Sequence, residues 1–333
     1  MGKLMRPRGS VLDCGASPCP PRSKLTGSMR TSAEPETKRV RQRDRATGPD
    51  RQSWRLRYID RFLAEIARGS EDVQQALGQD LHWGFHEIPN ARIENASAFA
   101  DAARAMNARV FKLAQIGDRD VILDAGSGFG GMVHQLAEQL PSSTVTGLNH
   151  DIRQIEQART QSDGSISDNH RFLCADALRL PFADQSFDVI IASELLCHLD
   201  DDAGFFSEAG RALKPGGRLI IADHVVAGAA QPVAQCVDFL FGPLFTRLYA
   251  RLNCTRTMTD FSRLAKQAGL DVETTDDLTK NTLPNYRFLR RLMRRFDISI
   301  AEKRVNDMIS LTMEAAARLG AFRYTLMKFQ LKN

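Results

Sequence analysis

From residue 120 onward, short apolar runs alternate with stretches whose apolar positions recur every three or four residues. The first pattern predicts strands buried on both faces, and the second predicts amphipathic helices. Strands are expected over 120–125, 143–148, 170–174, 187–192 and 217–222, and helices over 130–140, 151–160 and 203–213. Such alternation implies an α/β fold with a parallel, doubly wound sheet and right-handed crossovers. Ligands on these sheets sit beyond the C-terminal ends of the strands. Upstream, Trp54, Leu56, Ile59, Phe62, Leu63 and Ile66 keep helical spacing within 53–68. A second helix is predicted over 98–116, with Ser97 as its N-cap. Between them, LHWGFHE (81–87) puts His82, Trp83 and His86 in a loop, as one wall of a pocket or, the favoured reading, as an aromatic plug.

Charge alters this picture only at the N-terminus. The chain carries 45 Lys/Arg and 40 Asp/Glu, a net charge of +5. Residues 1–56 hold 13 of those basic groups and 5 of the acidic ones, which leaves 32 against 35 for the rest. The globular part is therefore mildly acidic, and a nucleic-acid partner is not expected. Residues 1–52 are rich in Pro, Gly, Ser and Arg and read as a disordered basic tail, or as an over-extended start before Met29, rather than as a targeting segment. None of the six cysteines falls in a CxxC pair, and Cys174 and Cys197 read as small core residues. A reducing cytoplasm is the expected setting, and no run approaches the roughly 18 apolar residues needed to span a bilayer.

The chemistry concentrates at the strand ends. VILDAGSGFGG (121–131) runs from a strand through Asp124 into a G-x-G-x-x-G turn formed by Gly126, Gly128 and Gly131. Glycine permits the tight turn and lets a ligand reach the backbone, while the following helix would point free N–H groups at an anion. A dinucleotide enzyme would close the second strand with an acid, but Asn149 stands there. The third strand runs into Asp176 and Ala177, which puts a carboxylate where an adenine amino group could donate to it.

The ordered set LDAGSGFGG, ADALRLPF, SFDVIIASELLCHL and ALKPGGRLIIAD resembles the class I S-adenosylmethionine (SAM) dependent methyltransferases over residues 95–330. GLNHDIRQ, DLTKNTLPNYRFL and the closing FRYTLMKFQL are similar to the tocopherol, sterol, quinone and prenyl small-molecule branch. The resemblance implies a Rossmann-like seven-stranded sheet whose last strand is antiparallel, with an N-terminal helical cap and an inserted helical lid. It implies a cap over 53–118 and a SAM-binding domain over 119–333, with lid insertions near 228–256 and 280–318. By the same resemblance Asp124, Gly126, Ser127 and Gly128 hold the methionine end of S-adenosyl-L-methionine, Asn149 and Gln154 the ribose, and Asp176 and Ala177 the adenine. Ser193 then lies near the sulfonium. For Asn149 a plain turn residue is the alternative, and for Asp176 a helix N-cap.

Glu194 and His198 follow the fourth strand four residues apart, and a short helix there would set both on one face. The catalytic expectation is that Glu194 positions or deprotonates the acceptor with help from His198; the alternative is that His198 packs the loop. Asp200, Asp201 and Asp202 read as a solvated helix N-terminus, and no metal is assigned. Val233, Val237, Leu240, Phe241, Leu244, Phe245, Leu248, Tyr249 and Leu252 keep helical spacing and suggest a lid over a lipophilic acceptor. Arg247, Arg251 and the basic run 287–296 make peripheral membrane contact the second use of this region, and a homo-oligomer is compatible with the chain. The leading expectation is C- or O-methylation of a lipophilic small molecule. N-methylation of a small amine and non-catalytic SAM binding are the alternatives, the former wanting a small pocket of carboxylates or rings.

Overall fold

The computed structural model describes residues 57–161, 169–248 and 253–332. The tail, the start of the first predicted helix and residues 249–252 of the predicted lid insertion lie outside them. The chain begins with α1 (Arg57–Ala67), α2 (Glu71–Leu77) and α3 (Ala96–Ala114). It continues through β1 (Val121–Ala125), α4 (Gly131–Gln139), β2 (Thr144–Asn149), α5 (Ile152–Thr160), β3 (His170–Cys174) and β4 (Phe187–Ser193). There follow α6 (Asp202–Ala212), β5 (Leu213–Val226), α7 (Gln231–Leu248), α8 (Met258–Gln267), β6 (Leu270–Asp277), α9 (Thr279–Met293), α10 (Ile300–Arg318) and β7 (Phe322–Leu331).

The seven strands form one sheet in the order β3-β2-β1-β4-β5-β7-β6. β1 to β5 run parallel, and β7 is antiparallel to both of its neighbours. Alternate residues of the central strands feed two apolar layers, as the two-residue period of a strand requires. Leu123, Ile190 and Leu219 face α6, where Phe205 and Phe206 are fully buried. Ile122, Val189 and Ile220 face the other way, against Met106 and Val110 of α3 and Met132 and Val133 of α4. Helix α3 therefore belongs to the sheet's own core as well as to the cap. A third cluster joins α1, α2 and α3 to α9, with Phe99 stacked on Phe288 (centroids 4.7 Å apart) and Phe62 edge-on to Phe296.

Several local expectations need correcting. α3 starts at Ala96 because Asn95, not Ser97, caps it: the Asn95 side-chain Oδ1 accepts from the Ala98 N–H at 2.9 Å. β5 runs from Leu213 to Val226, well beyond 217–222, because Leu213 pairs with Phe187 of β4 at one end and β7 pairs from Arg218 through Val226 at the other. Cys174 is exposed rather than core, since β3 is an edge strand. Asp202 is not solvated either. It is buried against the Arg256 guanidinium, while Asp201 caps α6 by accepting from Gly204 N–H at 2.8 Å.

Arg256 also donates to the Leu199 carbonyl at 3.2 Å, and Asn253 N–H donates to the Cys197 carbonyl at 2.7 Å. The chain after α7 is thus pinned to the loop after β4. The aromatic seam ties α1, α2 and α3 to α9, so Phe288→Ala is expected to cost about 3–5 kcal/mol. Chemical denaturation is the check, and a loss below about 1 kcal/mol would show that the seam carries little of the fold's stability.

Candidate active site

At the end of β1, Gly126 and Gly128 adopt φ of +85° and +55°, a region that costs other residues strain. A side chain at Gly126 would also meet Leu195 at 3.1 Å. The Gly126 and Ser127 N–H groups both donate to the Leu148 carbonyl, at 2.7 and 2.9 Å, which folds the turn back over β2. At the start of α4, the first amide is already engaged and an acid stands beside it. Gly131 N–H donates to the Gln79 carbonyl at 3.1 Å, and the Asp80 carboxylate packs so closely that a Cβ on Gly131 would lie 2.3 Å from it. A negative side chain of the protein therefore already occupies the positive end of the helix.

Asp124, Gly126, Ser127, Gly128, Asn149, Gln154, Asp176, Ala177, Ser193, Glu194 and His198 all line one cleft beyond the strand ends. Asn149 Oδ1 accepts from the His150 N–H at 2.9 Å, and Asp176 Oδ1 accepts from the Leu178 N–H at 2.9 Å, as residues in turns do. Two buried groups in the cleft, Ser127 Oγ and Asn149 Nδ2, have no hydrogen-bond partner among the described residues. Buried polar atoms left in that state are costly, and a bound ligand would satisfy them. Five lining residues are carboxylates (Asp80, Asp124, Asp151, Asp176 and Glu194) and none is Lys or Arg. Such a cleft favours a cation over a pyrophosphate.

The cap supplies residues that the sequence reading passed over. Asp80 accepts from Asn107 Nδ2 at 3.1 Å and lies 3.2 Å from His82 Nε2. Burial opposes charge on His82, but the Asp80 hydrogen bond and charge lift its pKa to about 9. The neighbouring imidazolium in turn helps hold Asp80 below the usual carboxylate range against burial. Tyr58 O–H lies 3.1 Å from His198 Nε2, with the two rings stacked. Neither residue carried a legible signal: Tyr58 shares the apolar face of α1 with Phe62 and reads as one more packing residue, and Asp80 looks like any surface acid.

Glu194 has a left-handed backbone (φ +49°) and precedes a single 3-10 turn over Leu196–His198, so it does not share a helix face with His198. Non-glycine residues held in that region cost about 1–3 kcal/mol and concentrate at functional sites. Its Oε1 accepts from the Trp83 N–H at 2.6 Å and from the Tyr324 O–H at 3.0 Å. Oε2 takes no hydrogen bond among the described residues. Burial raises the Glu194 pKa to about 7, with the His82 charge and these hydrogen bonds pulling back. Burial also raises Asp124 to about 7.

Behind Glu194, the Trp83 ring packs edge-on against Tyr286 (4.3 Å) and His224 (5.3 Å). His224 stacks on Phe322 at 4.8 Å, and burial pushes its pKa down to about 3, leaving the ring neutral. These rings fill the space between them as a plug. His82 instead lines the cleft, and His86 pairs with Asn285.

Residues 123–221 match the methyltransferase domain family. The methyltransferase GfsG of Streptomyces halstedii is 31% identical over 232 residues, covering 68% of this chain and 80% of its own. The 27-O-demethylrifamycin SV methyltransferase of Amycolatopsis mediterranei (strain S699) is 26% identical, over 67% of this chain and 79% of its own. Among solved structures, geranyl diphosphate C-methyltransferase from Streptomyces coelicolor A3(2) superposes with a TM-score of 0.60 at 20% identity, over 81% of this chain and 97% of its own. The acidic, lysine-free cleft and the match across four-fifths of GfsG lead to one conclusion: the chain belongs to the class I SAM-dependent methyltransferases and is an enzyme that uses SAM.

Proposed function

We propose that this enzyme methylates an oxygen or carbon of a lipophilic small molecule, with Glu194 taking the acceptor's proton. The observation that carries the reading is the buried Glu194 carboxylate, fixed through one oxygen and open at the other, in the cleft that suits the donor. Asp124, Gly126, Ser127 and Gly128 would hold the methionine end of SAM. Asn149 and Gln154 would hold its ribose, Asp176 and Ala177 its adenine, and Ser193 would lie beside the sulfonium. The unsatisfied Ser127 Oγ and Asn149 Nδ2 support this fit. Bound there, SAM supplies an electrophilic methyl group.

The protein's share of the reaction is alignment, exclusion of water and proton removal. Glu194 Oε2 accepts the acceptor's proton while Trp83 and Tyr324 hold Oε1. His198, steadied by Tyr58, orients the acceptor from the same loop. Peripheral lipid contact is a second proposed use of α7, whose Val233, Leu240 and Phe239 are 67%, 67% and 84% exposed. No helix among the described residues is long and apolar enough to cross a membrane. The substrates named for relatives, a rifamycin and geranyl diphosphate, are large or prenylated and support a lipophilic acceptor. An amine acceptor is less well supported, because Trp83, Tyr286 and His224 close on one another instead of opening around a cation.

Transfer of labelled methyl from SAM to a panel of quinones, prenyl alcohols and polyketides tests the activity. Glu194→Gln is expected to lower turnover by about 10²–10³-fold and His198→Ala by about 10-fold, with SAM affinity within a few-fold of wild type. Wild-type rates in both variants would end the proposal. Activity should fall with unit slope as pH drops below about 7, where Glu194 protonates, and the Gln variant should lose that dependence.

Stability has the opposite sign. The folded carboxyl binds its proton more tightly than the unfolded one, with pKa values of about 7 and 4.5. Its contribution is complete below about 4.5 and lost as pH rises through about 7. Glu194→Gln should therefore raise the unfolding midpoint at pH 8 relative to wild type and leave it nearly unchanged at pH 5. An equal midpoint at pH 8 would mean that the carboxylate carries no such strain.

A further inference from the structure

A second cavity, of about 470 Å³, opens between the loop at Pro89–Ile93 and the helices α9 and α10. It shares no lining residue with the donor cleft. Its volume lies within the roughly 300–1,000 Å³ typical of small-molecule sites. The lining combines two kinds of surface. Leu283, Phe288 and Leu311 give it apolar walls, and Leu311 remains 53% exposed. Arg287, Arg290 and Arg318 face it with a single acid, Glu314. That carboxylate already serves two guanidinium groups, Arg290 at 2.7 Å and Arg318 at 2.7 Å. Arg287 is exposed and has no ion pair or hydrogen bond among the described residues. The cavity thus carries excess positive charge over an apolar floor, the reverse of the acidic donor cleft.

We propose that this cavity is a second binding site, for an amphipathic anion: a carboxylate or phosphate head against Arg287 and Arg318, and an apolar chain against Leu283, Phe288 and Leu311. Guanidinium forks suit either head group, since both offer paired oxygens to two N–H donors. Leu283 belongs to the same cluster as Tyr286 and Trp83, so the cavity wall packs toward the residue whose backbone N–H holds Glu194. The inference does not depend on the identity of the methyl acceptor.

Calorimetry of the full chain with SAM present tests it, using dodecanoate, dodecyl phosphate, inorganic phosphate and dodecanol as probes. Either or both of the two anionic amphiphiles should bind at least tenfold more tightly than dodecanol or inorganic phosphate, and the stronger of the two names the head group. Arg287→Glu should weaken that binding at least tenfold, and Ala315→Trp, which fills the cavity from α10, should abolish it. Both variants should keep wild-type SAM affinity, which confirms that they fold. Dodecanol binding as tightly as dodecanoate and dodecyl phosphate, phosphate alone binding as tightly as either, or undiminished amphiphile binding in Arg287→Glu would each overturn the proposal. So would no binding of either amphiphile to the wild type, or competition between the amphiphile and SAM, which would place it in the donor cleft.

Discussion

The site depends on one carboxylate held by two distant donors. Glu194 leaves β4 in a left-handed conformation, and its Oε1 is gripped by the Trp83 N–H from the cap and the Tyr324 O–H from β7. Hydrogen bonds to a charged group are worth about 1.5–3 kcal/mol each, enough to offset the roughly 1–3 kcal/mol of backbone strain. Three parts of the chain that meet nowhere in sequence are thereby fixed around one oxygen, and the other oxygen stays available. The same burial that makes the arrangement rigid raises the carboxyl pKa to about 7, where it can exchange a proton near neutrality.

Electrostatics explains how a glycine turn of a widely shared kind becomes selective. A dinucleotide would bring a pyrophosphate to the start of α4, but Asp80 stands there, backed by His82 and Asn107. The remaining charge lining the cleft is largely carboxylate. Asp80 at that position opposes a pyrophosphate, while the acidic lining of the cleft as a whole is compatible with a cationic cofactor.

Local signals in the chain identified the elements whose causes are local. Val121–Ala125 and Phe187–Ser193 are largely apolar runs because both faces are covered, and their ends carry residues that line the cleft. β6 was not legible, since only Leu270 of its eight residues is buried and it lies at the sheet edge. Asn95 and Ser97 are both acceptable caps, and only tertiary packing of Ala96 and Phe99 decides between them. The eleven residues assigned from the motif resemblance all reach one cleft, although the helix imagined for Glu194 and His198 is a 3-10 turn entered through a strained residue. Asp80 and Tyr58 were invisible because their partners, Asn107, His82 and His198, become neighbours only through the fold. The same holds for Asp202, whose buried ion pair with Arg256 spans 54 residues.

The most direct measurement is a carbon-13 NMR titration of labelled glutamate in the intact enzyme, with Glu194→Gln used to assign the Glu194 carboxyl resonance. A carboxyl that titrates near 7 is the expected result, and the resonance should shift further when either the Trp83 or the Tyr324 contact is disturbed. A Glu194 carboxyl that titrates at the ordinary value near 4.5 would contradict the buried, doubly held carboxylate on which the site is built.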